Sequence, residues 1–161
     1  MRFCLIDRIT ELVPGESITA IKNLTMAEEY LADHFPRFPI MPGVLMLQAM
    51  TEAASWLVRV TDDFAYSLVL LSAANNIKYG QFVEPGQTMT VQAEIMNHQP
   101  GGETKLKVQG QVDGRLTARG RIVLTSSNLA DTNPIHRPAD EGNLTFLRKI
   151  YSLIDRVDAA S

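Results

Sequence analysis

The stretch from His34 to Glu52, HFPRFPIMPGVLMLQAMTE, decides how this chain folds. It places one histidine before a loop that contains Pro36, Pro39 and Pro42, and the loop opens at Gly43 into an apolar run. Proline does not fit inside a helix but is accepted around its first turn. We therefore expect a helix to begin near Gly43, with the histidine held by a stiff loop beside its N-terminus.

The predicted helix extends from Gly43 to Val60 and carries apolar residues on most of its sides. Such a pattern indicates a central helix that is largely buried. The polar positions that interrupt it are Gln48, Thr51, Glu52, Ser55 and Arg59.

Strand-like runs and turn signals surround this helix. Before it, Pro14-Gly15 and the alternating run Ser17 to Leu24 predict a β-hairpin, and Thr25 with Glu28 matches a capping box for a short helix over Met26 to Asp33. After it, strands are predicted at 65–73, 76–83, 87–98, 103–112 and 115–126, with Asp113-Gly114 as the strongest turn signal. The order predicts an α+β fold in which a curved antiparallel sheet, with a meander of strands, wraps the long central helix.

The chain divides into a main domain over residues 1–127 and a tail over residues 128–161. Residues 127–142 are expected to form an irregular linker because they contain few apolar groups. An amphipathic C-terminal helix should follow, and packing within the chain is its plainest role. Its apolar stripe consists of Leu144, Leu147, Ile150, Tyr151, Ile154 and Val157.

Composition narrows the functional classes. The chain has 161 residues, 45% of them apolar, a formal charge of -3 and a pI near 5.6, so no broad basic field exists to bind nucleic acid. Cys4 is the single cysteine, and neither a signal peptide nor a membrane span is apparent, which makes a cytoplasmic protein the default expectation. His98 and His136 lack metal-ligand spacing, so no metal is expected.

The central motif resembles the signature of the hot-dog fold 3-hydroxyacyl-acyl carrier protein dehydratases of fatty acid synthesis. The matching residues are His34-Phe35-Pro36, Pro39, Met41-Pro42-Gly43-Val44-Leu45 and Ala49-Met50, and the resemblance extends over roughly residues 3 to 126. It implies a six-stranded antiparallel sheet around the helix. It also implies a homodimer or a trimer of dimers, with substrate tunnels at the dimer interface.

The resemblance further implies how the site works. His34 would be the base that removes the α-proton, and the backbone amide of Gly43 would hold the thioester carbonyl at the positive end of the helix. Phe35 and Val44 belong to the same signature, and Met41 and Leu47 are candidates for lining an acyl tunnel. The substrate would arrive on the phosphopantetheine arm of an acyl carrier protein, with no other cofactor. A basic patch for that carrier is offered by Arg37, Lys105, Lys107, Arg115, Arg119 and Arg121.

The helix carboxylate of the family pattern is missing here. The family places Glu or Asp fourteen residues after the histidine, where this chain has Gln48, and it usually has Gln where this chain has Glu52. Glutamine cannot donate and recover a proton. Three interpretations remain: Glu52 acts as the acid with a pKa raised by burial, Gln48 holds the hydroxyl while His34 alone transfers protons, or the protein binds acyl chains without catalysis.

The leading functional prediction is dehydration of a 3-hydroxyacyl-acyl carrier protein thioester to the trans-2-enoyl thioester. A non-catalytic acyl-binding subunit, or partner of an active dehydratase, is the first alternative. An acyl thioesterase of the same fold, in which Glu52 would activate water or attack the thioester, is the second. Fold alone does not decide among them.

Overall fold

The computed structural model describes residues 4–155, which form six strands and two α-helices in the order β1, β2, α1, β3, β4, β5, β6, α2. Val157 of the predicted C-terminal stripe lies outside the described residues. The elements are β1 Arg8–Val13, β2 Ser17–Asn23, α1 Gly43–Thr61, β3 Leu68–Tyr79, β4 Thr88–His98, β5 Glu103–Val112, β6 Arg115–Ser127 and α2 Arg137–Ile154.

The six strands form one antiparallel sheet in the order β1-β2-β4-β5-β6-β3. The predicted N-terminal hairpin is confirmed as β1 and β2. The predicted turn at Asp113-Gly114 is confirmed as well, since both residues have positive φ, 50° and 74°, as a tight hairpin requires. The meander covers only β4 to β6, because β3 crosses over to pair with β6.

The sequence pattern predicted one strand too many. Residues 65–73 and 76–83 were expected to form two strands, but Leu68–Tyr79 is a single strand with irregular pairing to β6 between Asn75 and Lys78. Asn76 has φ of 53°, so the polar Asn75-Asn76 pair marks a bulge and not a strand end. The six strands that the family resemblance implied are therefore the ones observed.

The predicted capping box at Thr25 and Glu28 is wrong. Lys22 is buried, and the Glu28 carboxylate forms an ion pair with its Nζ at 2.5 Å instead of turning back to cap a helix. A buried ammonium group requires such a partner. Only a short 3₁₀ turn, Glu29–Leu31, is found in place of the predicted two-turn helix.

The central helix is confirmed and packs on the concave face of the sheet. α1 contacts every one of the six strands. The buried faces of the strands alternate with exposed positions, as in β5, where Thr104, Leu106 and Val108 point inward. The Thr61 hydroxyl at the end of α1 donates to the Leu57 carbonyl at 2.7 Å and accepts from the backbone N–H of Gly15 at 2.8 Å. This contact ties the β1-β2 turn to the helix.

The C-terminal helix begins at Arg137, earlier than the expected end of an irregular linker at residue 142. Asp140, in its first turn, is buried and accepts hydrogen bonds from the Ser67 hydroxyl and from the backbone N–H groups of Leu129 and Ala130. The apolar stripe packs against the core beside α1, where the Tyr151 ring lies 5.6 Å from that of Phe64. Within residues 4–155, no helix is long and apolar enough to cross a membrane.

Candidate active site

His34 lies in the loop between β2 and α1, with its ring oriented by a backbone contact. Its Nδ1 lies 3.0 Å from the carbonyl oxygen of Ile40. A carbonyl only accepts, so Nδ1 carries the proton in this contact and Nε2 keeps a free lone pair. A general base requires this tautomer of the neutral ring, with the proton on Nδ1 and Nε2 free to accept another. The loop that holds His34 is tightly turned, since Phe35 has φ of 53° and its carbonyl accepts from the N–H of Phe38 at 2.7 Å.

Gly43 is the first residue of α1, so its N–H has no acceptor within the helix. Glycine is needed here for space: a Cβ at this position would lie 3.0 Å from Cε1 of Tyr79. The Tyr79 ring comes from the end of β3 and closes over the start of the helix. The amide is thus held at the positive helix end, in a place that a larger residue would disturb.

A cavity of about 260 Å³, here termed the histidine cavity, contains both His34 and Gly43. It is lined by His34, Phe35, Ile40, Met41, Gly43, Met46, Tyr79, Gly80, Gln81 and Phe82. Two of the predicted substrate-binding residues, Phe35 and Met41, line it too. Val44 is 70% exposed, and neither Val44 nor Leu47 lines this cavity. The sequence did not indicate that the end of β3 and the residues after it, Tyr79 to Phe82, line this cavity, because their position beside the loop follows from a strand crossover.

Gln48 and Glu52 lie in a second cavity, of about 420 Å³, between α1, β3 and α2. This helix cavity is lined by Cys4, Gln48, Thr51, Glu52, Ser55, Trp56, Arg59, Val69, Leu70, Leu71, Phe146, Leu147 and Ile150. Among the residues that the structure describes, none lines both cavities. A single chain therefore presents the histidine and the helix carboxylate in different cavities.

Glu52 is anchored to the N-terminal segment. Its Oε2 accepts a hydrogen bond of 2.7 Å from the backbone N–H of Leu5, and its Oε1 accepts from the Cys4 thiol at 3.1 Å. Burial raises the pKa of the Glu52 carboxyl, and these hydrogen bonds oppose the increase without cancelling it. Gln48, one helical turn earlier, is exposed at the edge of the helix cavity.

Arg59 lies further along the same face of α1 and also lines the helix cavity. Burial lowers its pKa to about 10, although the nearby negative charge of Glu52 acts in the opposite direction. Its guanidinium carbon lies 5.5 Å from the centre of the Trp56 ring, in a cation–π contact. No salt bridge between Glu52 and Arg59 is among the ion pairs found within residues 4–155.

Comparison with known proteins places this site in a family. The model of the FabA-like domain matches residues 1–121, which include the histidine loop and the whole of α1. The chain belongs to the FabA-like family. The FabA-like chain is 39% identical to the 3-hydroxyacyl-[acyl-carrier-protein] dehydratase FabZ of Ruminiclostridium cellulolyticum over 120 residues, which cover 74% of this chain and 84% of that protein. It is 36% identical to the FabZ of Janthinobacterium over 135 residues, or 81% of this chain and 85% of that one.

Solved structures confirm the hot-dog fold of this FabA-like chain. The dehydratase heterocomplex ApeI:P from Xenorhabdus doucetiae superposes with a TM-score of 0.67 at 12% identity, covering 83% of this chain and 90% of that chain. A thioesterase from Pseudomonas aeruginosa, PA1618, gives a TM-score of 0.58 at 14% identity, with 74% and 81% covered. At these identities the similarity concerns the fold, which hosts more than one activity.

Proposed function

We propose that this FabA-like protein is a 3-hydroxyacyl-acyl carrier protein dehydratase that forms the trans-2-enoyl thioester in fatty acid or related acyl-chain synthesis. The observation that carries the proposal is that His34 and Gly43 line the same cavity. A base and an oxyanion donor beside one another are what removal of a proton next to a thioester carbonyl requires. The family and the named relatives support the same reaction.

The first half of the reaction uses the histidine cavity. The N–H of Gly43 donates to the thioester oxygen, and the helix end stabilises the negative charge that develops there. Nε2 of His34 takes the α-proton, and the electrons of that C–H bond form the new carbon–carbon double bond. The contact between Nδ1 and the Ile40 carbonyl stabilises the imidazolium that results.

The second half needs a proton for the hydroxyl group that leaves the β-carbon. Glu52 is the proposed acid, because burial raises its pKa and favours the protonated form from which a proton is delivered. The amide of Gln48, about 6 Å nearer to the start of the helix, would hold the leaving hydroxyl group. The carbon–oxygen bond breaks, water leaves, and both side chains regain their starting protonation by exchange with solvent. The elimination is redox-neutral and involves no cofactor beyond the phosphopantetheine arm of the substrate.

A homodimer would bring the two halves together, with His34 of one protomer facing Gln48 and Glu52 of the other. Among the described residues, β3 pairs only with β6 and leaves its other edge open over twelve residues. Long open edges are usually covered. Large apolar side chains are exposed along β3 and nearby: Val44, Leu70, Leu71, Tyr79 and Phe82. Pairing of two β3 edges would bury them.

The acyl carrier protein is proposed to dock on the convex face of the sheet beside the histidine cavity. Lys78 lies directly opposite Arg119, and Lys107 lies opposite Arg121, so four exposed cations lie on neighbouring strands. Lys78 adjoins Tyr79, which lines that cavity. Such a cluster in an acidic protein would favour a negatively charged carrier.

The experiment that tests this function supplies the protein with a 3-hydroxyacyl-acyl carrier protein and identifies the products by mass spectrometry. Formation of the enoyl thioester supports a dehydratase. Addition of water to a supplied enoyl thioester, which is the reverse reaction, supports the same conclusion. Release of free acid and a carrier thiol would instead indicate a thioesterase. Tight binding without either product would indicate the acyl-binding alternative.

A further inference from the structure

Five polar side chains run along one face of the otherwise apolar helix α1. Gln48, Thr51, Glu52, Ser55 and Arg59 are separated by three, four, seven and eleven residues from the first, and all five line the helix cavity. The opposite walls are apolar and include Val69 of β3 with Leu147 and Ile150 of α2. A cavity that held only a hydrocarbon chain would not need a polar stripe on one wall.

This stripe contains buried polar atoms that lack partners. Thr51 is 7% exposed, and within the described chain its hydroxyl has no hydrogen-bond partner. The neighbouring Trp56 indole N–H interacts with the Glu52 carboxyl group and opposes the effect of burial on its pKa. The Nε of Arg59 is also buried and unpartnered in that part of the chain. Buried donors without acceptors are costly and rare in folded proteins. Two of them around one cavity, on Thr51 and Arg59, point to an acceptor that a ligand brings.

The charge of Arg59 indicates what kind of acceptor fits. Among residues 4–155, no carboxylate lies within 4.0 Å of its guanidinium group. The acids that follow it in sequence have other partners, since Asp62 binds His98 at 2.8 Å and Asp63 faces Arg148 at 3.8 Å. Glu52 is the carboxylate on the same helix face, and both its oxygens already accept hydrogen bonds from the N-terminal segment. A partly buried guanidinium group favours a carboxylate, which it can bind through two parallel hydrogen bonds.

We propose that the helix cavity receives an acyl chain whose far end carries a carboxylate, bound by Arg59 with the Thr51 hydroxyl. The thioester end would lie near Gln48, an assignment that rests on the proposed function. Three residues separate Gln48 from Thr51 and eleven separate it from Arg59, whose side chain points back toward the start of the helix. The carboxylate would therefore lie between about 5 and 16 Å from Gln48 along the helix. A chain that ends in a methyl group would leave the donors of Thr51 and Arg59 without acceptors.

Helix α2 forms part of the wall of the helix cavity. Leu147 and Ile150 of α2 line it, and α2 lies beyond the residues that the family model matches. The part of the wall that encloses the far end of the ligand is therefore supplied by the C-terminal segment.

The test uses Trp56, the single tryptophan of the chain, as a fluorescent reporter inside the site. The full-length protein is titrated with acyl pantetheine thioesters of equal chain length that end in a carboxylate, a hydroxyl or a methyl group, across a series of lengths. The carboxylate-ended thioester should bind best at one length. Arg59→Met should weaken its binding about tenfold to a hundredfold and leave the methyl-ended thioester unchanged or bound more tightly.

Thr51→Val is a second test variant, because it removes one unpartnered donor at nearly constant side-chain shape. It should leave the melting temperature unchanged or raised, since no hydrogen bond within the described chain is lost, yet weaken binding of the carboxylate-ended thioester several-fold. If Arg59→Met does not fold, Arg59→Lys keeps the charge and loses the two-pronged geometry, and an intermediate loss is expected.

The proposal is overturned if the wild type binds methyl-ended or hydroxyl-ended thioesters as tightly as the carboxylate-ended one. It is also overturned if the preference for a carboxylate persists in Arg59→Met. If Arg59→Met does not fold, an unchanged preference in both Arg59→Lys and Thr51→Val overturns it instead. Binding is measured without turnover, so an inactive protein that prefers the carboxylate would refute the dehydratase proposal alone. An active dehydratase without that preference would refute this inference alone.

Discussion

The carboxylate of Glu52 accepts a hydrogen bond of 2.7 Å from the backbone N–H of Leu5. This contact joins the central helix, one turn beyond Gln48, to the segment that precedes β1. The acid is also more buried than Gln48, which is exposed, and burial raises its pKa. Exchanging amide and acid along α1 thus moves the carboxylate about 6 Å along the helix and gives it a structural role.

Glu52 should make stability depend on pH. Its pKa in the folded state is raised above 4.5, so the folded protein binds the proton more tightly than the unfolded chain. The stability that this provides is fully present below about pH 4.5 and is lost as pH rises through the folded pKa. Glu52→Gln, which keeps an acceptor for Leu5 but stays neutral, should therefore gain stability relative to wild type as pH increases. Urea unfolding at a series of pH values measures this difference, and a constant difference would contradict the raised pKa.

Cys4 should alkylate slowly although its residue is exposed. Burial of the thiol and the negative charge of Glu52 raise its pKa to about 12 from a usual 9.0. Only the thiolate reacts, so the rate with iodoacetamide should be roughly a hundredfold to a thousandfold below that of a free thiol. Glu52→Gln should increase the rate, because it removes the neighbouring charge. An unchanged rate in that variant would show that the thiol and the carboxylate do not interact.

Gly43→Ala should disturb the histidine cavity through Tyr79. The added Cβ would lie 3.0 Å from the tyrosine ring, a contact that forces the ring or the helix start to move. Overpacking of this kind costs about 1 to 3 kcal/mol in stability. A double-mutant cycle with Tyr79→Ala, read by thermal unfolding, should show that the cost of Gly43→Ala disappears once the ring is gone. Equal costs in both backgrounds would place the strain elsewhere.

His34→Asn separates the chemical role of the histidine from its structural one. The asparagine amide can still donate to the Ile40 carbonyl, but it cannot take a proton. We expect turnover to fall about a hundredfold to ten-thousandfold with little change in melting temperature. His34→Ala should lose both the activity and the loop contact. If His34→Asn keeps full turnover, His34 is not the base.

Much of the fold could be predicted from local patterns. The proline loop and the apolar run after Gly43 located α1, and Asp113-Gly114 located a hairpin, because these features depend on neighbours in sequence. The merging of two expected strands into β3 could not be predicted, since the bulge near Asn76 is stabilised by pairing with β6, some forty residues later. The failed capping box has a similar cause, as Glu28 serves the buried Lys22.

Only part of the candidate site could be predicted from the sequence. His34 and Gly43 come from one loop and one helix start, so their common cavity follows from local order. The separate cavity of Gln48 and Glu52 depends on α2, which reaches α1 from about ninety residues away. Arg59 could have been found from the spacing of polar residues along α1, which the sequence displays. Its lack of an ionic partner within residues 4–155 is visible only in three dimensions.

The central claim is that each active site combines His34 of one protomer with Glu52 of its partner. It is tested most directly by unfolding and refolding together two variants, His34→Ala and Glu52→Gln, each of which should be inactive alone. A mixed dimer then has one site with both side chains intact, so an equal mixture should regain about a quarter of wild-type dehydratase activity. A mixture that stays inactive, although mixed dimers form, would contradict the claim, and so would full activity of Glu52→Gln alone.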